Sequence, residues 1–313
     1  MFKIIGKTNI DFVGKRKISF VLSAILILLG LTAFANILMG TAKMGIDFTG
    51  GTMIQGNFDK SAAIEELRDA LTGNGFPEAT IQALNIEGVE NSYLIRVKTL
   101  AESNLPNAES TVDKIMNIIA SDSRFAENHF HKDSEQTIGA LVGEELKTDA
   151  RNAVLLAVVI ILVYIWIRFD LRFGVAATVA TFHDVLAVLG IFWLLNIEID
   201  SLVITALLTL GGYSLTDSVV VFDRIRENLK LFRKKGDFVA TINSSINEVI
   251  SRTLITSLTT LMAVLTILFV GGQVLFTFSL ALAIGIAVGT YSSVFVASPI
   301  VVEWEARSPK RFR

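Results

Sequence analysis

The sequence predicts an α-helical polytopic membrane protein of six transmembrane helices, with a soluble α+β domain inserted between the first and second. Three observations carry that prediction. Of 313 residues, 52% are hydrophobic and only 19% charged, with a mean hydropathy of +0.57, a balance that a domain with a fully solvated surface does not carry. Apolar runs long enough to cross a bilayer core of about 30 Å recur along the chain. A single long polar segment, 40–149, interrupts them.

The spans fall at Ile18–Met39, Ala150–Ile167, Phe173–Ile197, Ser201–Phe222, Thr253–Val270 and Val274–Val302. The first contains no ionisable residue, is too long for a signal-peptide core and has no small-residue cleavage site after it, so it is expected to remain as an anchor. In the second, Arg151 lies close enough to the end to snorkel. Gly271-Gly272-Gln273 separates the last two.

Alternate connections hold the positive charge: 5 Lys+Arg in 1–17, 2 in 168–172, 7 in 223–252 and 4 in 303–313, against none in 196–200 and 271–273. By the positive-inside rule the N-terminus 1–17, the loop 223–252 and the C-terminus 303–313 are cytoplasmic, and 40–149 lies on the other side. That segment carries 9 Lys+Arg and 18 Asp+Glu, so it reads as an acidic, translocated domain.

Within it, Thr52–Phe58 alternates as a strand, and Lys60–Leu71 places Ile64, Leu67 and Leu71 on one helical face. Thr80–Ile86 and Ser92–Lys98 alternate again and are joined through Glu87-Gly88 as a hairpin. A helix over Glu109–Ala120 and a strand near Phe130–Thr137 complete a β-α-β-β-α-β order, the ferredoxin-like arrangement. The segment has no phosphate loop, paired-carboxylate motif or nucleophile elbow, which points to an interaction or mechanical role rather than an enzymatic one.

Composition removes several chemistries. With no cysteine, disulfides, thiolate zinc sites, iron–sulfur clusters and cysteine nucleophiles are excluded. The three histidines, His129, His131 and His183, leave little for a histidine metal site. A net charge of -2 gives no reason to expect a nucleic-acid partner.

Ionisable groups inside the spans are few, and each is costly there. Asp217 is placed about 9 Å to the cytoplasmic side of the fourth span's midpoint. Tyr213 and Ser214 precede it by one turn and share its stripe. It is either a proton carrier or a carboxylate satisfied by a neighbouring helix. His183 and Asp184 in the third span project about 100° apart and need not act as a pair. Arg252 opens the fifth span, with Thr256, Thr259 and Thr260 continuing its face; it is a boundary anchor unless it turns inward to meet Asp217. In the last span Gly285 and Gly289, extended by Ala281, Ser292 and Ser293, form a small-residue seam. That seam and the polar faces of the fourth and fifth spans are expected to lack a partner within this chain alone. The run Gly236–Ile250 puts Phe238, Ile242, Ile246 and Val249 on one face, suiting a helix on the membrane surface, with Arg233-Lys234-Lys235 at headgroup level.

Four runs then match a known pattern, in order and in membrane placement: Gly45-Ile46-Asp47-Phe48-Thr49-Gly50-Gly51-Thr52, Phe182-His183-Asp184-Val185, Gly212-Tyr213-Ser214-Leu215-Thr216-Asp217-Ser218 continuing to Asp223-Arg224-Ile225-Arg226-Glu227-Asn228, and Ser251-Arg252-Thr253-Leu254-Ile255-Thr256-Ser257. Over essentially its whole length the chain resembles the SecD/SecF family of protein-export membrane proteins, on the SecF side. The resemblance implies half of a resistance-nodulation-division (RND) type transporter that pairs with SecD. It implies an auxiliary role beside the SecYEG channel after SecA-driven steps, powered by the proton motive force, with YajC and YidC as further possible neighbours and a translocating preprotein as cargo. It places the protein in the bacterial inner membrane and implies no catalytic residue, cofactor or metal. By the same resemblance the proton pathway falls on Asp217, Arg252, Asp184, Ser214 and Tyr213. The junction motif falls on Asp47, Phe48, Gly50, Gly51 and Thr52, where the two glycines allow a tight turn from membrane helix into the first strand.

Two other readings stand beside it. An RND half-transporter for lipids or small molecules usually needs larger extracellular domains and two halves in one chain. An intramembrane aspartyl protease using Asp184 and Asp217 lacks its expected G-x-G-D and P-A-L signatures.

Overall fold

The computed structural model describes residues 8–86, 89–98, 110–231 and 237–308. The chain divides into a membrane unit, residues 1–43 with 152–313, and a second unit, Met44–Arg151.

Among the described residues six helices are long and apolar enough to cross a membrane, and the chain is a multi-pass membrane protein. They are α1 (Arg16–Leu38), and, after the second unit's short elements, α5 (Ala140–Arg168), α6 (Leu171–Leu194), α7 (Ser201–Leu231), α8 (Phe238–Val270) and a last span made of α9 (Phe276–Ser292) and α10 (Ser298–Arg307). α6, α7 and the last span form the inside of the membrane unit, whereas α5 and α8 leave most of their surface exposed. Phe173, Phe192, Leu210, Phe222 and Ile225 are fully buried. The Phe222 ring meets Phe173 and Phe169 edge-on, at 5.1 and 5.8 Å between centroids.

α1 and α6 approach through glycine. A Cβ on Gly30 would lie 2.3 Å from the Leu186 carbonyl oxygen, and one on Gly190 would lie 2.6 Å from the Gly30 nitrogen. Small residues at such a crossing let two backbones pack without side chains between them.

The last span is not one continuous α-helix. A π-helical turn, Ser293–Ala297, separates α9 from α10. Pro299 stands in the first turn of α10 and cannot donate the backbone hydrogen bond that a regular helix needs there. The Ser298 hydroxyl takes over part of the ladder by donating to the Ser293 carbonyl at 3.2 Å.

The connection expected at 223–252 is helical over its described residues: α7 runs on to Leu231 and α8 already starts at Phe238. The membrane-surface helix expected over Gly236–Ile250 is therefore corrected. Gly236 lies outside the described residues, and Ile242 and Ile246 are buried in protein with Phe12, Val13, Phe222 and Ile225. The N-terminal segment supplies the cover. The Asn247 side chain accepts from Ile10 N–H at 2.9 Å and donates to Ile10 C=O at 2.8 Å, pairing a peptide as a strand neighbour would. Asn243 Oδ1 accepts from Phe12 N–H at 2.8 Å.

The Asp223–Asn228 run ties the same region together. Arg168 pairs with Asp223, and Arg224 pairs with Glu248 and, at 2.6 Å, with Glu227. Asn228 donates to Ser245 Oγ at 3.0 Å and to Glu248 at 3.1 Å.

The second unit follows β1 (Gly51–Phe58), α3 (Ile64–Gly73), β2 (Thr80–Ile86), β3 (Val89–Val97), α4 (Thr111–Ser121) and β4 (Phe130–Ile138), preceded by the one-turn helix α2 (Ile46–Thr49). The sheet order is β2-β3-β1-β4 with every pair antiparallel, which is the ferredoxin-like topology. The expected hairpin residues Glu87 and Gly88 lie outside the described residues. Ile54, Phe58, Leu67, Leu71, Ile95 and Ile115 fill its core. The Tyr93 hydroxyl donates to the Ala62 carbonyl at 2.7 Å and accepts from the Ala62 N–H at 3.0 Å. Ser110 caps α4, accepting from Asp113 N–H at 3.0 Å. On the surface, Arg124 donates to Asp122 and holds its carboxyl down at about 2. His131 lowers Asp59 in the same way.

Candidate functional site

Among the described residues of the membrane unit two carboxylates are buried, on neighbouring helices. The first is Asp217 of α7, 7% exposed. Its Oδ2 accepts from the Ser257 hydroxyl of α8 at 3.2 Å. On the same two helices, the hydroxyls of Ser218 and Thr253 are buried without a hydrogen-bond partner among the described residues. Such groups are rare enough that each calls for a reason.

The second is Asp184 of α6, fully buried. Its Oδ1 faces His183 Nδ1 at 2.9 Å, and its Oδ2 accepts from Ser214 of α7 and, at 2.8 Å, from Ser292 at the end of α9. One carboxylate thus joins three helices, next to the π-helical turn. π-turns of this kind are frequent at functional sites. His183 and Asp184, which adjacent positions on a helix do not force together, are paired.

The stripe expected from Tyr213, Ser214 and Asp217 is divided. Ser214 serves Asp184, Asp217 turns to α8, and the half-buried Tyr213 has a hydroxyl with no partner among the described residues. Among the described residues the two carboxylates share no hydrogen-bond partner, whereas an aspartyl protease dyad holds two carboxyls around one proton.

The seam of the last span also finds its use inside the chain, which corrects the expectation that it waits for another protein. A Cβ on Gly285 would lie 2.5 Å from Leu210 of α7, and one on Gly289 would lie 3.4 Å from Ser214 Cβ and 3.5 Å from Asp184 Oδ2. The absence of side chains there lets α9 close on α7 over the polar cluster.

Arg252 is exposed, as are Thr256 and Thr259, and among the described residues it makes no ion pair with Asp217. α7 and α8 run antiparallel with Asp217 opposite Ser257 and Arg224 opposite Glu248. Arg252 lies between those two levels. The inward face of α8 is Thr253 and Ser257, both buried, one position round from the face the sequence suggested. Their spacing of four is a helical stripe as regular as that of Arg252 and Thr256, so periodicity alone does not choose between them. Ser292 shows itself in sequence only as a small residue three positions after Gly289.

At the junction, Asp47 lies in the first turn of α2 and Phe48 is buried. Gly50 and Gly51 have φ of +68° and +146°, left-handed values that favour glycine. A Cβ on Gly50 would lie 2.8 Å from Ala140 Cα, and one on Gly51 would lie 2.7 Å from the Val97 carbonyl oxygen. The fully buried Thr52 shares a hydrogen bond with Thr137 of β4 at 3.1 Å. Backbone thus crosses backbone where the start of β1 passes the start of α5.

The family described as "Protein export membrane protein SecD/SecF, C-terminal" matches residues 118–307. The protein translocase subunit SecF of Thermodesulfovibrio yellowstonii is 48% identical over 305 residues, covering 96% of this chain and 97% of that one. The SecF of Rhodothermus marinus is 40% identical over 317 residues, covering 99% and 98%. The crystal structure of SecDF, a translocon-associated membrane protein from Thermus thermophilus, superposes with a TM-score of 0.80 at 37% identity. It covers 98% of this chain, which spans 40% of that longer one. From its architecture, its motifs and these likenesses, the chain belongs to the SecD/SecF family of protein export membrane proteins.

Proposed function

We propose that this chain is an auxiliary subunit of a Sec-type protein translocase that pairs with a SecD-type subunit and uses the proton motive force to complete preprotein movement after the ATP-driven steps of SecA. The observation that carries the proton-coupled reading is Asp217, a carboxylate buried within a membrane helix with a single neutral hydroxyl as its partner among the described residues. Nothing about packing requires an ionisable group there, and intramembrane carboxylates of this kind mark proton relays.

In this reading Asp217 alternates between a protonated state and an ionised state, with Arg252 as the nearby cation that α8 brings to it in the other half of the cycle. Asp184, Ser214 and Tyr213 form the inner part of the pathway. A charge moved through the full potential gains about 2.3 kcal/mol per 100 mV, enough to bias a two-state movement of the Met44–Arg151 unit. The chain sits in the bacterial inner membrane with both termini cytoplasmic and Met44–Arg151 outside. The SecDF relative, in which both names stand on one chain, supports SecD as the partner. SecYEG is the channel it assists, SecA acts upstream, and YajC and YidC are further neighbours. It acts as a transport subunit and not as an enzyme.

The test is late-stage export of a preprotein into vesicles with an imposed proton gradient. Wild-type vesicles respond to the gradient and Asp217→Asn vesicles do not, while the ATP-driven early steps continue in both.

A further inference from the structure

The imidazole of His183 has an unusual inventory of neighbours. It is fully buried, Nδ1 faces Asp184 Oδ1 at 2.9 Å, and Nε2 has no hydrogen-bond partner among the described residues. The ring of Tyr291, in α9, lies 6.3 Å away between centroids. The Tyr291 hydroxyl is itself engaged by α1, donating to the Ser19 carbonyl at 2.8 Å and meeting Ser23 at 3.2 Å.

Those contacts select one protonation state. A neutral imidazole carries its proton on one nitrogen and a lone pair on the other. If Nε2 held the proton, a buried N–H would go unpaired, and the Nδ1 lone pair would face carboxylate lone pairs; both cost free energy. An imidazolium would also bury an unpaired Nε2–H. The tautomer with the proton on Nδ1 donates to Asp184 and leaves a bare nitrogen at Nε2. Asp184 in turn is fixed by Ser214 and Ser292, which is how a carboxylate orients an imidazole for proton transfer.

We propose that His183 is a second proton-binding site of the membrane unit, accepting the proton at Nε2, and that Asp184 is the positioning residue that holds it in the receptive tautomer. This rests on the proton-coupled reading of the unit and adds a group to it. Uptake forms an N–H bond from the Nε2 lone pair and a proton, converts imidazole to imidazolium and takes the His183–Asp184 pair from one negative charge to none. Release breaks the same bond. The protonated ring needs an acceptor at Nε2 that this arrangement lacks among the described residues, so binding a proton favours a different packing of α6 against its neighbours. The hydroxyls of Ser214 and Ser292 connect that change to α7, one turn from Asp217, and to the π-helical turn.

Other ionisable groups around the site are few. α7 brings Tyr213 and Asp217, with its next charges from Asp223 onward. α9 brings Tyr291 alone, and α1 none beyond Lys17. α10 brings Glu303, Glu305 and Arg307, of which Glu303 pairs with Arg16 and Glu305 with Arg172.

The experiment uses the full chain in lipid bilayers with His129 and His131, both in the Met44–Arg151 unit, replaced by Gln, so that His183 is the one imidazole. Nitrogen-15 NMR of labelled histidine then reports each ring nitrogen without reference to export. The expected result is a single neutral tautomer at neutral pH, protonated on Nδ1, with Nε2 gaining a proton as the pH is lowered. In the same background Asp184→Asn is expected to lose the single tautomer. A proton on Nε2 at neutral pH, or a ring that gains no proton as the pH is lowered while the chain stays folded, overturns the proposal. Because Asp217→Asn is scored separately by gradient-driven export, failure of the His183 site and failure of the Asp217 reading are distinguishable.

Discussion

Ser257 of α8 donates its hydroxyl hydrogen to Asp217 of α7 at 3.2 Å, and this bond identifies the face of α8 that meets the buried carboxylate. Ser257→Ala removes that partner and should cut the gradient-driven part of export several-fold, as expected for a net loss of about 1 kcal/mol at a hydrogen bond. Ser257→Thr keeps the hydroxyl and should restore most of it. Equal export by the Ala and Thr variants would show that the contact is incidental.

Arg252 separates charge from contact. It is exposed and makes no ion pair with Asp217 among the described residues, so in the proposed cycle its contribution depends on its cation. Arg252→Lys keeps the charge but loses the planar fork and should give a partial defect in gradient-driven export, whereas Arg252→Met should approach Asp217→Asn. A fully active Arg252→Met protein would reduce Arg252 to a boundary anchor.

The crossing of α1 and α6 leaves no room for a side chain on either glycine. Gly190→Val must displace the backbone of Gly30, and overpacking of this kind costs about 1–3 kcal/mol or more. Thermal unfolding of the purified chain should move down clearly. Gly212, where a Cβ meets nothing within 4 Å, provides the control: Gly212→Ala should be neutral or stabilising by up to about 1 kcal/mol.

Much of this architecture is legible in the sequence, and the reasons differ between the units. Span lengths follow from bilayer thickness, and the strand alternation of Thr52–Phe58 and Thr80–Ile86 follows from a two-sided sheet, so both can be read directly. The Ile242–Ile246 face is apolar whether lipid or protein covers it, and only the N-terminal segment bound by Asn243 and Asn247 decides for protein. Likewise, threonines and serines line both sides of α8, so sequence cannot tell Ser257 from Thr256 as the partner of Asp217. The His183–Asp184 pairing depends on rotamers set by Ser214 and Ser292 from other helices. The π-helical turn is signalled only by Pro299.

The Met44–Arg151 unit carries a pH-dependent contact of its own. Arg124 depresses the Asp122 carboxyl from an ordinary value of 3.8 to about 2. A carboxyl lowered on folding adds stability that is fully present above its unfolded value and is lost as pH falls through the folded one. Unfolding of this unit within the full chain, followed by hydrogen exchange at α4 and β4, should show wild type more protected than Asp122→Asn above pH 3.8, converging as pH approaches 2. The difference should be modest, because the pair is near the surface. A constant difference across that window would assign the effect to the turn that Asp122 caps and not to its charge.

In the proposed cycle Asp217 carries the proton whose movement drives preprotein export. The most direct measurement is gradient-dependent completion of preprotein export in vesicles containing the assembled wild-type or Asp217→Asn complex, at equal complex content. Asparagine keeps the shape of the side chain and cannot release a proton. Asp217→Asn is expected to assemble normally, support the ATP-driven early steps and show no acceleration when the gradient is imposed. If it accelerates as wild type does, Asp217 is a packing residue and the proton path runs elsewhere.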